Sequence, residues 1–326
     1  MIASARYSSP WEAIISRHSW PACLCALSLF VAGACAANIP RSVRQGPQVL
    51  IGDQAPPLAL RPASLKFAVI GDSGQWSTVQ RETAAQLAAQ RAHIPFELVL
   101  MLGDNNYGDG SPESYRVRFE EPYKPLLDAG VMFYASRGNH DVGAQWKYPL
   151  FNMGGERYYT FQQKAGLLPP FAGDRVQFFA LDSVHLDDDQ LSWFDRQLSE
   201  SRAEWKIVFF HHPIYSSGRY AMSSAARRST LERVLVEHEV DVVFSGHEHV
   251  YERMRPQSGV MYFVVGASGS VRVGDLRPSA YQAAGYDRDL SFLLVEILGD
   301  ALYFRAVNRL GETIDQGKIV KTPSSP

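Results

Sequence analysis

Lys66-Phe67-Ala68-Val69-Ile70-Gly71-Asp72-Ser73-Gly74 is a short apolar run that stops at a glycine and a carboxylate. An unbroken run of that length, closed by a breaker, reads as a strand covered on both faces. Thr78–Arg91 follows with Ala and Gln at helical spacing and neither Pro nor Gly, and reads as a helix. Glu97–Leu102 repeats the apolar pattern and again ends in Gly-Asp, at Gly103-Asp104. Strand, helix and strand in this order imply parallel pairing, with helices covering a sheet.

The same grammar continues outward. Met132–Ser136 leads into Arg137-Gly138-Asn139-His140-Asp141, and Val176–Leu181 into Asp182-Ser183. Asp188–Ser199 reads as an amphipathic helix, with Asp187-Asp188-Asp189 supplying its cap and complementing its dipole rather than binding a cation. Trp205–Phe210 runs into His211-His212-Pro213. After a helix at Ala225–Glu237, the run Val240–Phe244 opens into Ser245-Gly246-His247-Glu248-His249-Val250-Tyr251-Glu252-Arg253. Val260–Val265, Ser291–Leu298, Ala301–Val307 and Thr313–Val320 read as further strands, the last three at β-meander spacing around the Gly299-Asp300 turn. Upstream, residues 38–65 hold five prolines and read as a loose lead-in with one strand near Gln48–Ile51.

The 326 residues are 46% hydrophobic and 20% charged, which is ordinary for a globular protein with ample core. A formal net charge of −2 argues against a binder of nucleic acid polymers. Arg6, Arg17 and His18 precede an apolar stretch from Trp20 to Ala37, and Ala34-Cys35-Ala36 fits an export cleavage site before Ala37. The long basic region leaves an uncleaved anchor over residues 20–37 as the alternative, whereas Ala32 in place of a larger aliphatic residue argues against lipidation of Cys35. Cys23, Cys25 and Cys35 all fall in this leader, so the exported chain, periplasmic or secreted, would hold together without disulfides. No Asn-x-Ser/Thr sequon occurs. The parsing is therefore 1–36 leader or anchor, 37–65 lead-in, and 66–321 a single domain. The tail from Thr322 reads as frayed.

Five strands end in residues suited to metal: Asp72, Asp104, Asn139, His211, and His247 with His249. The carboxyl ends of strands in an α/β sheet share one edge, where ligands bind. With Tyr107, this set is too large for one tetrahedral zinc. It suits two metals roughly 3.5–4 Å apart that share a bridging carboxylate. Mixed oxygen and imidazole donors fit iron, zinc or manganese. Neighbouring strand residues point oppositely, so only one of His211 and His212 should face the site, and spacing from Val208 favours His211. His93, His185 and His238 lie outside the blocks, as surface or helix-end residues.

The series Gly71-Asp72-Ser73-Gly74, Gly103-Asp104-Asn105-Asn106-Tyr107, Gly138-Asn139-His140-Asp141, Val208-Phe209-Phe210-His211 and Gly246-His247-Glu248-His249 resembles the five ordered blocks of the purple acid phosphatases. These tartrate-resistant acid phosphatase-like proteins form a branch of the calcineurin-like metallophosphoesterase superfamily. The likeness covers roughly residues 66–320. It implies an α/β fold, a four-layer α/β/β/α sandwich of two mixed β-sheets flanked by helices. Asp72, Tyr107 and His249 would hold Fe(III); Asn139, His211 and His247 would hold Fe(II), Zn(II) or Mn(II); Asp104 would bridge. Most of the wider superfamily has a histidine ligand where Gly74 stands, and Tyr107 would replace it as a phenolate whose charge transfer to iron gives the purple colour.

The implied reaction is hydrolysis of phosphate monoesters, with metal-bound hydroxide as nucleophile. His140 would protonate the leaving group or bind phosphate, with Asp141 either orienting it or capping the following turn. Asn139, His140 and Arg219 are the expected substrate contacts. The resemblance is incomplete: mammalian members carry a second active-site histidine where this chain has Ser216-Ser217-Gly218-Arg219-Tyr220, so Arg219 or Tyr220 would serve instead. Glu252 and Arg253 read as a structural ion pair. Alternative readings are a phosphodiesterase or nucleotidase at the same site, and a noncatalytic exported metal- or phosphate-binding protein.

Overall fold

Phe67 and Val69 belong to one apolar layer, and Ala68 and Ile70, on the same strand, to another. That two-sided burial explains why the first strand carries no polar alternation. The computed structural model describes residues 46–51, 58, 64–164 and 175–321, all within one compact unit, Val43–Pro326. The leader or anchor, the three cysteines and the tail from Thr322 lie outside the described residues.

The strands are β1 (Gln48–Ile51), β2 (Leu65–Ile70), β3 (Leu98–Met101), β4 (Met132–Ala135), β5 (Tyr159–Lys164), β6 (Arg175–Ala180) and β7 (Trp205–Phe210). After them come β8 (Val242–Ser245), β9 (Tyr251–Met254), β10 (Met261–Val265), β11 (Gln282–Tyr286), β12 (Ser291–Leu298), β13 (Ala301–Asn308) and β14 (Thr313–Val320). They form two seven-stranded mixed sheets, in the orders β1-β14-β13-β12-β2-β3-β4 and β11-β9-β10-β8-β7-β6-β5. Helices α1 (Thr78–Arg91), α2 (Pro112–Tyr115) and α3 (Glu121–Asp128) contribute to the apolar layer on the first sheet's outer face, and α4 (Asp188–Glu200) and α5 (Ser224–Glu237) to that on the second's. Phe67, Leu100, Phe178, Phe209, Phe244 and Phe263 fill the central layer between the sheets. The arrangement is the expected α/β/β/α sandwich.

β12, β13 and β14 pair consecutively and antiparallel, as the meander spacing implied. Asp187 caps α4 by accepting from the Gln190 amide at 2.9 Å. The strand in the lead-in is present, and it pairs with β14, so that part of the lead-in belongs to the first sheet. Three strands and a helical stretch lack a local signal of their own. β5 is a partly buried edge strand, β9 reads as the tail of the histidine motif, and β11 contains small residues and Gly285. The segment from α2 to α3 is broken by Pro122, Pro125 and a π turn at Arg116–Glu120, although Tyr115, Phe119, Tyr123 and Leu126 keep helical spacing.

Glu252 and Arg253 do not pair with each other. They are adjacent on β9 and diverge: Arg253 Nε lies 2.7 Å from Asp315 of β14, while Glu252 accepts from Ser216 Oγ at 2.6 Å. Tyr251 shares the Arg253 side and donates to the same Asp315 at 2.8 Å. A buried ion pair thus ties the second sheet to the first near the site.

Candidate metal centre

β2, β3 and β4 run parallel in one sheet, as do β7 and β8 in the other, so their carboxyl ends bring the candidate residues to one edge. The chain turns sharply there. Asp72, Asp104 and His247 all carry positive φ, at 53°, 51° and 67°. Left-handed backbone at a residue with a side chain costs free energy and persists only where the surroundings enforce it. Here it aims the side chains inward. The Asp72 carboxylate accepts from the His247 amide at 2.7 Å, joining the turn after β2 to the turn after β8. A Cβ on Gly246 would stand 2.6 Å from the same Asp72 oxygen, which explains the glycine before His247.

Two donor sets emerge. In the first, Tyr107 Oη lies 3.3 Å from Asp72 Oδ1 and 3.2 Å from His249 Nε2, and Asp72 Oδ1 is 3.3 Å from His249 Nε2. In the second, His211 Nε2 lies 2.9 Å from Asn139 Oδ1 and 3.2 Å from His247 Nδ1. Asp104 stands between them: its Oδ2 is 3.5 Å from His211 Nε2, and its ligand atom lies within 4.8 Å of those of Asp72 and His211. His211 Nδ1 donates to the Leu102 carbonyl at 2.9 Å, leaving Nε2 as the lone-pair nitrogen. Ser270 Oγ lies 2.5 Å from His249 Nδ1 and fixes that ring in the same manner. All seven sequence-expected metal residues are therefore brought together, with oxygen and nitrogen lone pairs crowded against one another. A cation would satisfy such an arrangement, so the donor set fits metal.

Burial raises Asp72, but His211 and His249 outweigh it and hold the carboxyl at about 2. Burial, opposed by His211 and helped by Asp72, raises Asp104. Burial and then the charges of Asp72 and Asp104 push the Tyr107 phenol far above its usual value, so it ionises only against strong positive charge. Burial lowers His247 to about 3, which keeps it a neutral donor near pH 7.

Gly74 settles why no histidine stands there. Its position is packed against the Asn105–Asn106 backbone, and its carbonyl accepts from the Tyr107 amide at 3.2 Å. The loop carrying Tyr107 occupies the space that a side chain at position 74 would need.

Other expectations change. Asp141 does not orient His140; its carboxylate accepts from the amides of Gly138 at 2.8 Å and Asn106 at 2.9 Å, pinning the β3 and β4 loops together. Burial and then Asp104 push it up to about 7. His140 is exposed, its ring 4.7 Å from Tyr107, and its amide donates to Asp104 Oδ1 at 2.8 Å. Arg219 pairs with Asp275 at 2.9 Å and is 58% exposed, rather than reaching the donor sets. The alternation argument for His211 and His212 fails because β7 stops at Phe210: the His212 ring also lies against the site, 4.4 Å from His247, while its Nδ1 is 3.1 Å from Ser183 Oγ. His93 and His185 are exposed, and His238 ends α5, as expected.

Sequence reading missed the support around His247. Glu248, fully buried and lying between His247 and His249 in sequence, accepts from the Tyr220 amide at 2.5 Å. Tyr220 packs on His247 at 4.8 Å, and the Arg272 guanidinium lies over Tyr220 at 5.3 Å.

The sequence profile of the calcineurin-like phosphoesterases matches residues 65–251, from β2 to just past His249. The chain belongs to that family. This phosphoesterase is 25% identical over 313 residues to tartrate-resistant acid phosphatase type 5 of Rattus norvegicus, covering 80% of this chain and 92% of the rat protein. It is 25% identical over 242 residues to purple acid phosphatase 17 of Arabidopsis thaliana, covering 66% of this chain and 71% of that protein. Its fold is similar to purple acid phosphatase PPD1 from yellow lupin (Lupinus luteus) seeds, with a TM-score of 0.64 at 16% identity over 84% of this chain and 58% of that one. GAP50, the anchor in the inner membrane complex of Plasmodium, superposes with a TM-score of 0.69 at 19% identity over 81% of this chain and 90% of that one. At such identities the structural likeness speaks for the fold alone. Among the described residues no helix is long and apolar enough to cross a membrane.

Proposed function

We propose that this phosphoesterase hydrolyses small phosphate monoesters at a dinuclear metal site, as an exported acid phosphatase. The observation that carries the reading is the two lone-pair clusters joined by Asp104. Asp72, Tyr107 and His249 would hold one ion, Asn139, His211 and His247 the other, and Asp104 would touch both. The first set, with a carboxylate and a phenol, suits Fe(III); the second, neutral apart from Asp104, suits Fe(II), Zn(II) or Mn(II). Bound there, such a pair supplies Lewis acidity toward a phosphoryl oxygen and lowers the pKa of water.

The chain's own groups do the rest. Asn139 and His140 are exposed at the mouth and free to meet the ester. His140 packs at a tilt against Tyr107 with its amide tied to Asp104, so its imidazole is held beside the donor sets, where it protonates the departing alkoxide or binds phosphate. Asp141 keeps the loop beneath it closed. The leader favours export, by cleavage before Ala37 or by retention as an anchor.

The test is metal analysis, a visible spectrum, and turnover of an aryl phosphate beside the matching diaryl diester. Two metals per chain, a tyrosinate band and faster monoester turnover are expected. Preference for the diester would favour a phosphodiesterase, and metal-free protein from native preparations would sink the hydrolase reading.

A further inference from the structure

Arg272 makes no ion pair with a carboxylate among the described residues, whereas Arg219, Arg253 and Arg309 each do. Its position is built rather than incidental. The Arg272 amide donates to the His249 carbonyl at 3.0 Å and its Nη1 donates to the His247 carbonyl at 3.3 Å, so it is fastened to both histidine ligands. Its guanidinium lies 5.3 Å over the Tyr220 ring, and that ring packs 4.8 Å from the His247 imidazole.

The platform beneath is rigid. Glu248 accepts from the Tyr220 amide, and Glu252 accepts from the hydroxyls of Ser216 and Ser217 and from the Ser217 amide, so two buried glutamates hold the loop from both ends. A stacked arginine keeps donors available in the plane of its fork for a carboxylate or phosphate. The donor sets would engage the reacting phosphoryl group, and Arg272 stands beside them, fastened to the His247 and His249 carbonyls and next to an aromatic ring. A cation in that place meets a different part of the ester.

Resting on the phosphoesterase reading above, we propose that Arg272 and Tyr220 form a subsite for a second anionic group, so that preferred substrates are phosphate esters bearing a further carboxylate or phosphate on the leaving side.

The test uses two phosphonates of equal length, 3-phosphonopropanoate and propylphosphonate, titrated calorimetrically into the metal-loaded protein. The carboxylate-bearing ligand should bind roughly tenfold tighter, the range of one charge-assisted contact. Arg272→Gln should abolish that preference, so that the two phosphonates bind the variant alike, with 3-phosphonopropanoate losing more affinity than propylphosphonate, and Arg272→Lys should keep most of it. Equal affinities in the wild type, equal weakening of both ligands by Arg272→Gln, or collapse of the preference in Arg219→Ala with Arg272→Gln unaffected would each overturn the inference. Binding is read without turnover, so failure to hydrolyse any ester would sink the proposed reaction and leave this result standing.

Discussion

The two donor sets share Asp104 and one sheet edge, yet they are built differently. The Asp72, Tyr107 and His249 set brings two groups that can be anionic, and its histidine is steadied by a side chain, Ser270. The Asn139, His211 and His247 set brings no carboxylate or phenol of its own, and His211 is steadied by a backbone carbonyl, that of Leu102. Charge and support thus divide the same way. Under the two-metal reading, the first set favours the ion of higher charge and can be tuned by mutation of its support, while the second favours a divalent ion whose His211 is fixed by the fold itself.

Breaking the element common to both sets should have the largest effect. Asp104→Ala should reduce metal content below one ion per chain and lower kcat/KM on an aryl phosphate on the order of a thousandfold or more. Two retained ions, measured by plasma emission, with unchanged turnover would mean that Asp104 does not join the sets.

Tyr107→Phe removes the anionic oxygen from the first set and leaves the second intact. The expected outcome is loss of the visible charge-transfer band, loss of the first ion, and a drop in kcat/KM of roughly a hundredfold. A variant that keeps the band would show that the phenol is no ligand, and the asymmetry between the sets would vanish.

Six of the seven expected donors were legible because they lie at the ends of apolar runs, which is local information, whereas Tyr107, in the loop after Asp104, was marked as a ligand by the resemblance. Their aim depends on positive φ at Asp72, Asp104 and His247, which residue type does not announce. What escaped notice depends on loops meeting from distant parts of the chain. Asp141 sits next to His140 but serves Gly138 and Asn106. Arg219 looks like a substrate contact until Asp275 is found beside it, while Arg272, Ser270 and Glu248 have no spacing that marks them. Strand–helix alternation implied a parallel sheet covered by helices, whereas the four-layer sandwich came with the resemblance; β9 and β11, short strands paired with each other at one edge of the second sheet, carry no such signal.

Ser270→Ala separates the two modes of support. It removes the partner of His249 Nδ1 and touches nothing in the second set, so affinity for the first ion should fall roughly tenfold with the second unchanged. Competition with a chelator, following each metal separately, reads the split. Equal weakening of both ions would show that the sets are coupled too tightly to be compared as separate units.

The smallest expected effect lies farther out, on the His247 side. Glu252 is fully buried and accepts from Ser216 Oγ at 2.6 Å, the Ser217 amide at 3.0 Å and Gln282 Nε2 at 3.1 Å, with the Ser217 hydroxyl as a further donor. A carboxylate offers acceptors to all of these; a carboxamide must turn an N–H₂ toward groups that already donate. Glu252→Gln should therefore cost about 1–3 kcal/mol of stability in urea unfolding. It should also loosen the loop that carries Tyr220. Because Tyr220 meets His247 only by ring packing, turnover should fall no more than several-fold, with KM more affected than kcat. The visible band and the ion of the first set belong to the other half and should stay unchanged. A lost band in this variant would mean that the 216–220 loop supports Tyr107 and His249 as well, and that the division of the site into an anionic and a neutral half does not extend to the scaffold around it.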